Sequence, residues 1–285
     1  MAAQLTRAQH ALATALCQNF RAWAPSEPRA PRVGRCLEHG LSNRSVLLRG
    51  ARRRYVLRIA EAATPAGVNR ERELRLLCAA SARHIAPTPL LCDPARGVLI
   101  TAVAGEAVSS PALPELAVLL RAIHALPARG QPLCSADALA HYRRGLAPDT
   151  RTARLLQNAA AALRGATETV RGGRSPAVTC HNDLLAANLR SVGSRLLALD
   201  WEYACTGDAF FDLAVCAWER DDETAVRALL EAYLQRRPTP AEAARLAAQR
   251  LLYAAIDACW RERYAADEGL AVSQARLRRA LAGFS

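Results

Sequence analysis

His181-Asn182-Asp183-Leu184-Leu185-Ala186-Ala187-Asn188 gathers a histidine, an acid and two amides, and Leu199-Asp200-Trp201-Glu202 follows after an apolar run. The pattern is H-x-D-x-x-x-x-N, then a strand-like segment ending in Asp. Phosphoryl transfer explains these residue types. An attacking hydroxyl must be oriented and must shed its proton, and one carboxylate within hydrogen-bond reach does both; Asp183 is the candidate. A nucleotide triphosphate needs magnesium, a hard cation that takes oxygen ligands. The amide oxygen of Asn188 and the carboxylate of Asp200 would supply them, while His181 braces the loop rather than reacting. Turns rich in Asp and Asn are common, so the order and the strand context carry this reading.

The elements that must position these residues follow from local patterns. AVTC before the loop and LLALDW after it are short and apolar, as strands are. Earlier, SVLLRG and YVLRIA are two β-prone runs joined by Ala51-Arg52-Arg53-Arg54, which predicts a hairpin. The alternation through Val56, Leu57, Arg58 and Ile59 puts Arg58 on the opposite pleat from Leu57. NRERELRLLCAASARH has helical spacing at Leu74, Leu77 and Cys78, with Pro87 and Pro89 expected to end the helix. LLCDPARGVLITAVAG predicts two strands around an Asp93-Pro94 turn. From Pro111 the chain is mostly helical: PELAVLLRAIHALP, ADALAHYRRGL, TARLLQNAAAALRGATETV, and helix after helix from Asp221 onward. The N-terminal stretch, interrupted by Arg7, His10, Gln18 and Asn19, predicts an amphipathic helix. The expected architecture is α+β in two lobes, a small antiparallel-sheet lobe over residues 1–103 and a larger, mainly helical lobe over 104–285.

With these residues in hand, the chain resembles the choline, ethanolamine and thiamine kinases within the aminoglycoside phosphotransferase family, enzymes of protein-kinase-like fold. The catalytic-loop pattern with D-W-E-Y is the specific part; the likeness extends over most of the chain. GLSNRSVLL resembles the family's nucleotide loop, which implies that Ser42 and Asn43 offer donors to phosphate. YVLRI resembles the strand whose basic residue contacts the ATP phosphates. That residue is Arg58 here, where the aminoglycoside branch and protein kinases carry lysine. A guanidinium can grip phosphate oxygens with two parallel hydrogen bonds and stays charged. NRERE resembles the start of the helix whose glutamate orients that cation, a role open to Glu73 or to Glu71. GVLITAVAG resembles the strand and hinge that meet adenine, and the resemblance gives Asp212 in FFDLA the part of anchoring the catalytic loop.

The acceptor is expected to be a small cationic alcohol. On a strand, Glu202 would share a face with Asp200 and add negative charge beside the acceptor. Trp260 and Tyr264 lie four apart, and Tyr253 seven before Trp260, on one helical face. Late aromatics form a cation cage in choline kinases, and a quaternary ammonium gains roughly 0.5–2 kcal/mol against such rings. Core packing is the competing reading of the same spacing, and aminoglycosides or amino sugars are the alternative acceptors.

Composition removes other classes. All 38 basic residues are arginine, against 26 acids. Without lysine there can be no Walker A loop and no Schiff-base nucleophile. The net charge of +12 favours anionic partners, yet no nucleic-acid module accompanies it. D-W-E stands where protein kinases carry D-F-G, and no A-P-E segment follows. The nine cysteines include no C-x-x-C pair, which suits reduced, buried thiols. No apolar run reaches the roughly 18–20 residues that span a bilayer. A cytoplasmic protein without membrane insertion is expected, using magnesium, with ATP and a small hydroxylated acceptor as its partners. A non-catalytic nucleotide-binding module is the rival reading; Asp183, Asn188 and Asp200, all intact, argue against it.

Overall fold

The computed structural model describes residues 4–37, 43–61, 68–127, 139–140, 143–170, 177–218, 220, 222–265 and 268–284. Ser42 and residues 136–138, 141 and 142 of the helix expected over 136–146 lie outside them. The chain forms two compact units. The first comprises Met1–Glu106 with Arg190–Gly193 and Leu197–Glu202; the second comprises Ala107–Leu189, Ser194–Leu196 and Tyr203–Ser285.

The first unit is built on a five-stranded antiparallel sheet of order β1-β2-β3-β5-β4. Its strands are β1 (Arg32–Leu37), β2 (Asn43–Arg49), β3 (Arg54–Ala60), β4 (Pro89–Asp93) and β5 (Val98–Ala102). Alternation decides what each face holds. Val46, Leu48, Tyr55, Leu57, Ile59, Val98 and Ile100 turn to one side and join a core with Ala13, Leu16 and Trp23. Helix α1 (Arg7–Gln18) covers that side, its start closed by a reciprocal Thr6–Gln9 capping box. Trp23 donates its indole N–H to the Leu16 carbonyl at 2.9 Å and meets Tyr55 edge-on at 5.1 Å. Arg58 pairs across to Ser45 and Leu99 on the opposite pleat from Leu57, as its position in the alternation requires. Strand β1 is absent from the sequence reading. As an edge strand with a register shift between Val33 and Cys36 it has no fully buried face, so its hydrophobic alternation is weak.

Helix α2 (Arg70–Ala82) begins where the Asn69 side chain accepts the Arg72 N–H, and it buries Glu73, Leu76, Leu77 and Ala80. It stops before either proline: Arg83 caps it and His84 turns left-handed at φ 57°. The expected role of Pro87 and Pro89 as terminators is therefore corrected. A two-residue strand, β6 (Glu106–Ala107), follows the sheet.

The second unit is helical around one small polar insert. Helices α3 (Leu113–His124), α4 (Arg151–Val170), α5 (Ala209–Ala217), α6 (Glu223–Leu234), α7 (Pro240–Tyr264) and α8 (Glu268–Ala282) occur in that order. Every residue of α5 is buried, and α7 runs 25 residues from a Thr239–Glu242 capping box. Strands β7 (Val178–Cys180) and β10 (Cys205–Gly207) pair antiparallel, with Cys180 opposite Cys205. Between them in sequence lie the polar loop, β8 (Leu189–Val192) and β9 (Arg195–Ala198). The α+β class, the antiparallel N-terminal sheet and the helical C-terminal part match the expectation from sequence.

Candidate active site

In the first unit, β3 holds Arg58 on the sheet face away from the α1 core, where its side chain is 11% exposed. One guanidinium nitrogen donates to Glu73 Oε1 and the other to Asp200 Oδ1. Glu73 reaches Arg58 because it lies one turn into α2, while Glu71 points to solvent. A second guanidinium extends the lattice. Arg70 donates to Glu73 Oε2 at 2.9 Å, to Glu202 Oε2 at 3.0 Å and to Asn43 Oδ1 at 3.0 Å. Asn43 in turn donates to Glu202 Oε2 at 2.8 Å.

Three carboxylates face two guanidiniums here, one negative charge in excess. Burial pushes Asp200 up to about 6; Arg58 opposes the shift, while Glu202 and Glu73 add to it. Burial works against the charge on Arg58, but Asp200, Glu73 and Glu202 outweigh it and hold the guanidinium above its ordinary value.

Two expectations about this cluster are corrected. Asp200 and Glu202 do not share a strand face. Strand β9 ends at Ala198, Asp200 turns left-handed at φ 54°, and Trp201–Tyr203 make one 3-10 turn. The cause is Trp201, which is 1% exposed and donates its indole N–H to Ala198 O at 3.0 Å. Glu202 consequently lies 2% exposed, bound to Arg70 and Asn43 rather than presented to an acceptor. Asn43, expected to donate to phosphate, is 3% exposed and its amide is used by the same two partners.

In the second unit, the loop after β7 is pinned by Asp212 from the first turn of α5. Asp212 Oδ2 accepts the His181 backbone N–H at 2.8 Å, and Oδ1 accepts that of Asn182 at 2.7 Å. Fully buried His181 begins the loop, and Asn182 follows at φ 65°, its amide donating to Tyr203 O at 2.9 Å. A strained left-handed residue held by several contacts fits a loop whose shape is imposed from outside. Asn188 closes the loop on a single 3-10 turn, donating its amide nitrogen to Asp183 Oδ2 and to Asp183 O, both at 2.8 Å. With the nitrogen so used, the amide oxygen is the end available to a cation.

Two residues here escaped the sequence reading. His124, at the end of α3, contacts Asp212 Oδ2 through Nε2 at 3.1 Å and the Tyr233 hydroxyl through Nδ1 at 2.8 Å. Its place in the apolar run LRAIHALP was a signal, since a histidine on a buried helical face needs partners. Arg70 was legible only as one of several arginines in NRERELR.

The aromatic candidates separate. Tyr253 is 7% exposed and meets Phe211 and Trp218 edge-on, at 5.9 Å and 5.1 Å. It is core. Trp260 and Tyr264 do adjoin, ring centres 5.9 Å apart, and Tyr264 is 40% exposed with the Arg263 guanidinium 5.1 Å from its centre.

No curated protein matches the chain. Among solved structures, a choline/ethanolamine kinase family protein from Mesorhizobium loti is similar, with TM-score 0.73 and 21% identity over 95% of this chain and 93% of that one. Choline kinase LicA from Streptococcus pneumoniae gives TM-score 0.74 and 18% identity over 89% and 95%, and LicA is also known in complex with AMP. Aminoglycoside phosphotransferase APH(4)-Ia, as a D198A variant with ADP and hygromycin B, gives TM-score 0.68 and 17% identity over 94% and 98%. At such identities the likeness establishes the kinase-like fold. Residues 34–248 match the model of the phosphotransferase enzyme family, so the chain belongs to that family.

Proposed function

We propose that the chain is an ATP- and magnesium-dependent kinase that phosphorylates a hydroxyl of a small cationic alcohol of the choline, ethanolamine or thiamine type. One observation carries the kinase reading: Arg58 on β3 is clasped by Glu73 of α2 and by Asp200. In kinase-fold enzymes a basic residue on that strand, a helix glutamate and a metal-ligating acid serve the nucleotide phosphates together.

Arg58 holds the phosphates and Glu73 keeps it in place. Asp200 and Asn188 fit magnesium: both offer hard oxygen donors, and the ion-pair lattice around Asp200 has a negative charge to spare. When bound, the ion would neutralise charge on the phosphate oxygens. Asp183, oriented by the Asn188 amide, accepts the proton of the acceptor hydroxyl as its oxygen bonds to the γ-phosphorus. ADP leaves with the electron pair of the broken bond. The cationic acceptor class is supported by the Trp260–Tyr264 pair and by the names of the structural neighbours. An aminoglycoside acceptor is the second reading, favoured by the likeness to APH(4)-Ia.

The test is ADP release from MgATP with choline, ethanolamine, thiamine, sugars, amino sugars and aminoglycosides in turn. ADP should form with one acceptor class only. Asp183→Asn should lower turnover by about two to four orders of magnitude, while MgATP affinity and melting temperature stay put. An Asp183→Asn enzyme as fast as the parent would refute the mechanism.

A further inference from the structure

Within the second unit, a cleft of about 290 Å³ opens between α5, α7 and α8, at the lower end of the range for small-molecule sites. Its charge is one-sided. Arg220, Arg250, Arg276 and Arg279 line it, and Glu223 is the one carboxylate among its described lining residues. Glu223 is already engaged, since Arg250 grips both its oxygens at 2.8 and 2.9 Å.

The other guanidiniums are arranged rather than merely near. Arg276 lies over the Trp218 ring with Cζ 4.8 Å from its centre, a cation–π contact that fixes where the guanidinium sits. Arg220 is tied by one nitrogen to the Pro111 carbonyl at 3.1 Å, while its sheltered Nε meets no hydrogen-bond partner among the described residues. Arg279, one turn along α8 from Arg276, adds a further positive charge at the exposed side. Ala214, Ala217 and Ala280 add apolar side chains to the lining.

Guanidiniums gathered in one cleft repel each other, and a sheltered N–H without an acceptor is unfavourable; a single anion relieves both. The guanidinium fork matches the oxygens of phosphate and carboxylate. We propose that this cleft is a binding site for a small molecule carrying a phosphate monoester or carboxylate group, held by Arg220, Arg276 and Arg279. Its polarity is opposite to that of a cation cage, and the proposal does not depend on the reaction proposed above.

The probes are inorganic phosphate, glycerol phosphate and citrate, titrated calorimetrically into the whole chain at constant ionic strength. Saturating ADP is present, so that the nucleotide-binding residues are occupied. One of the three should bind saturably. Arg276→Gln with Arg279→Gln should weaken that binding by about tenfold or more, with the melting temperature in chloride and the affinity for ADP unchanged. Arg279 is solvent-exposed on a helix, so Arg279→Gln alone keeps the test valid should the double variant fold poorly; it should weaken binding in the same direction. No saturable heat with any probe would overturn the proposal, as would an affinity indifferent to these substitutions.

Discussion

Two carboxylates of the first unit show how surroundings set the behaviour of one functional group. Asp200 is pushed up by burial and by the neighbouring acids Glu202 and Glu73, against the pull of Arg58. Glu27 is fully buried, which alone would raise it, yet it is held below the usual carboxylate range. Its oxygens accept from the Tyr55 hydroxyl at 2.8 Å and from the backbone N–H groups of Ala51, Arg52 and Arg53 at 2.8, 3.0 and 3.0 Å. Hydrogen bonds to an ionised acceptor are stronger than neutral ones. Glu27→Gln puts a donor where only acceptors fit and should cost roughly 2–4 kcal/mol in chemical denaturation. The sign of its pH dependence follows. A carboxylate lowered in the folded state stabilises fully above its unfolded value, and the contribution fades as pH falls through the folded value. The parent should therefore lose stability relative to Glu27→Gln on acidification below about pH 4.5. A stability difference that stays constant down to pH 2 would exclude this account.

At the scale of elements, the same carboxylate decides how β2 turns into β3. The turn over 50–53 wraps Glu27, and Gly50 is where the backbone comes closest: an added Cβ would lie 2.4 Å from Glu27 Oε1 and 2.8 Å from the Arg53 carbonyl. Gly50→Ala should destabilise by about 1–3 kcal/mol through overpacking. Because both substitutions act on one contact, their combined effect should fall short of their sum by more than about 0.5 kcal/mol. Strict additivity would mean that the turn does not depend on Glu27. This hairpin also marks what can be read from sequence. Both strands and the pleat of Arg58 were legible, since alternation is local. Glu27 was not, because nothing in Pro25–Pro28 signals donors more than twenty residues away. The same limit governs the candidate site. Asp183 and Asn188 are five apart, and their pairing follows from a short loop. Asn43 and Glu202 meet across 159 positions, so neither their burial nor their mutual engagement was visible in the sequence. Local spacing also suggested a strand through Asp200, where burial of Trp201 imposes a left-handed residue and a tight turn.

Across the whole molecule, charge is the property that ties sequence to expected behaviour. A chain with 38 arginines, no lysine and a net charge of +12 carries a positive field that no lysine titration can erode. Arginine remains protonated beyond pH 12. Thiols are the side chains that would subtract charge in mild alkali, and burial pushes four of the described ones upward: Cys17 to about 11, Cys259 to about 12, Cys92, and Cys180 well above its ordinary value. The field should therefore be nearly constant between pH 7.5 and 9.5 but sensitive to salt, because the screening length shrinks from about 30 Å at 0.01 M to about 10 Å at 0.1 M. An anionic nucleotide meets that field before it meets Arg58. Its association rate, followed by stopped-flow fluorescence of a labelled ADP, should fall several-fold between those two salt concentrations and change little across that pH range. Dissociation should respond less to salt, since the contacts of the bound state are short-ranged and sheltered. An association rate flat in salt would separate the arginine surplus from nucleotide capture and leave it to serve the anion cleft of the second unit alone.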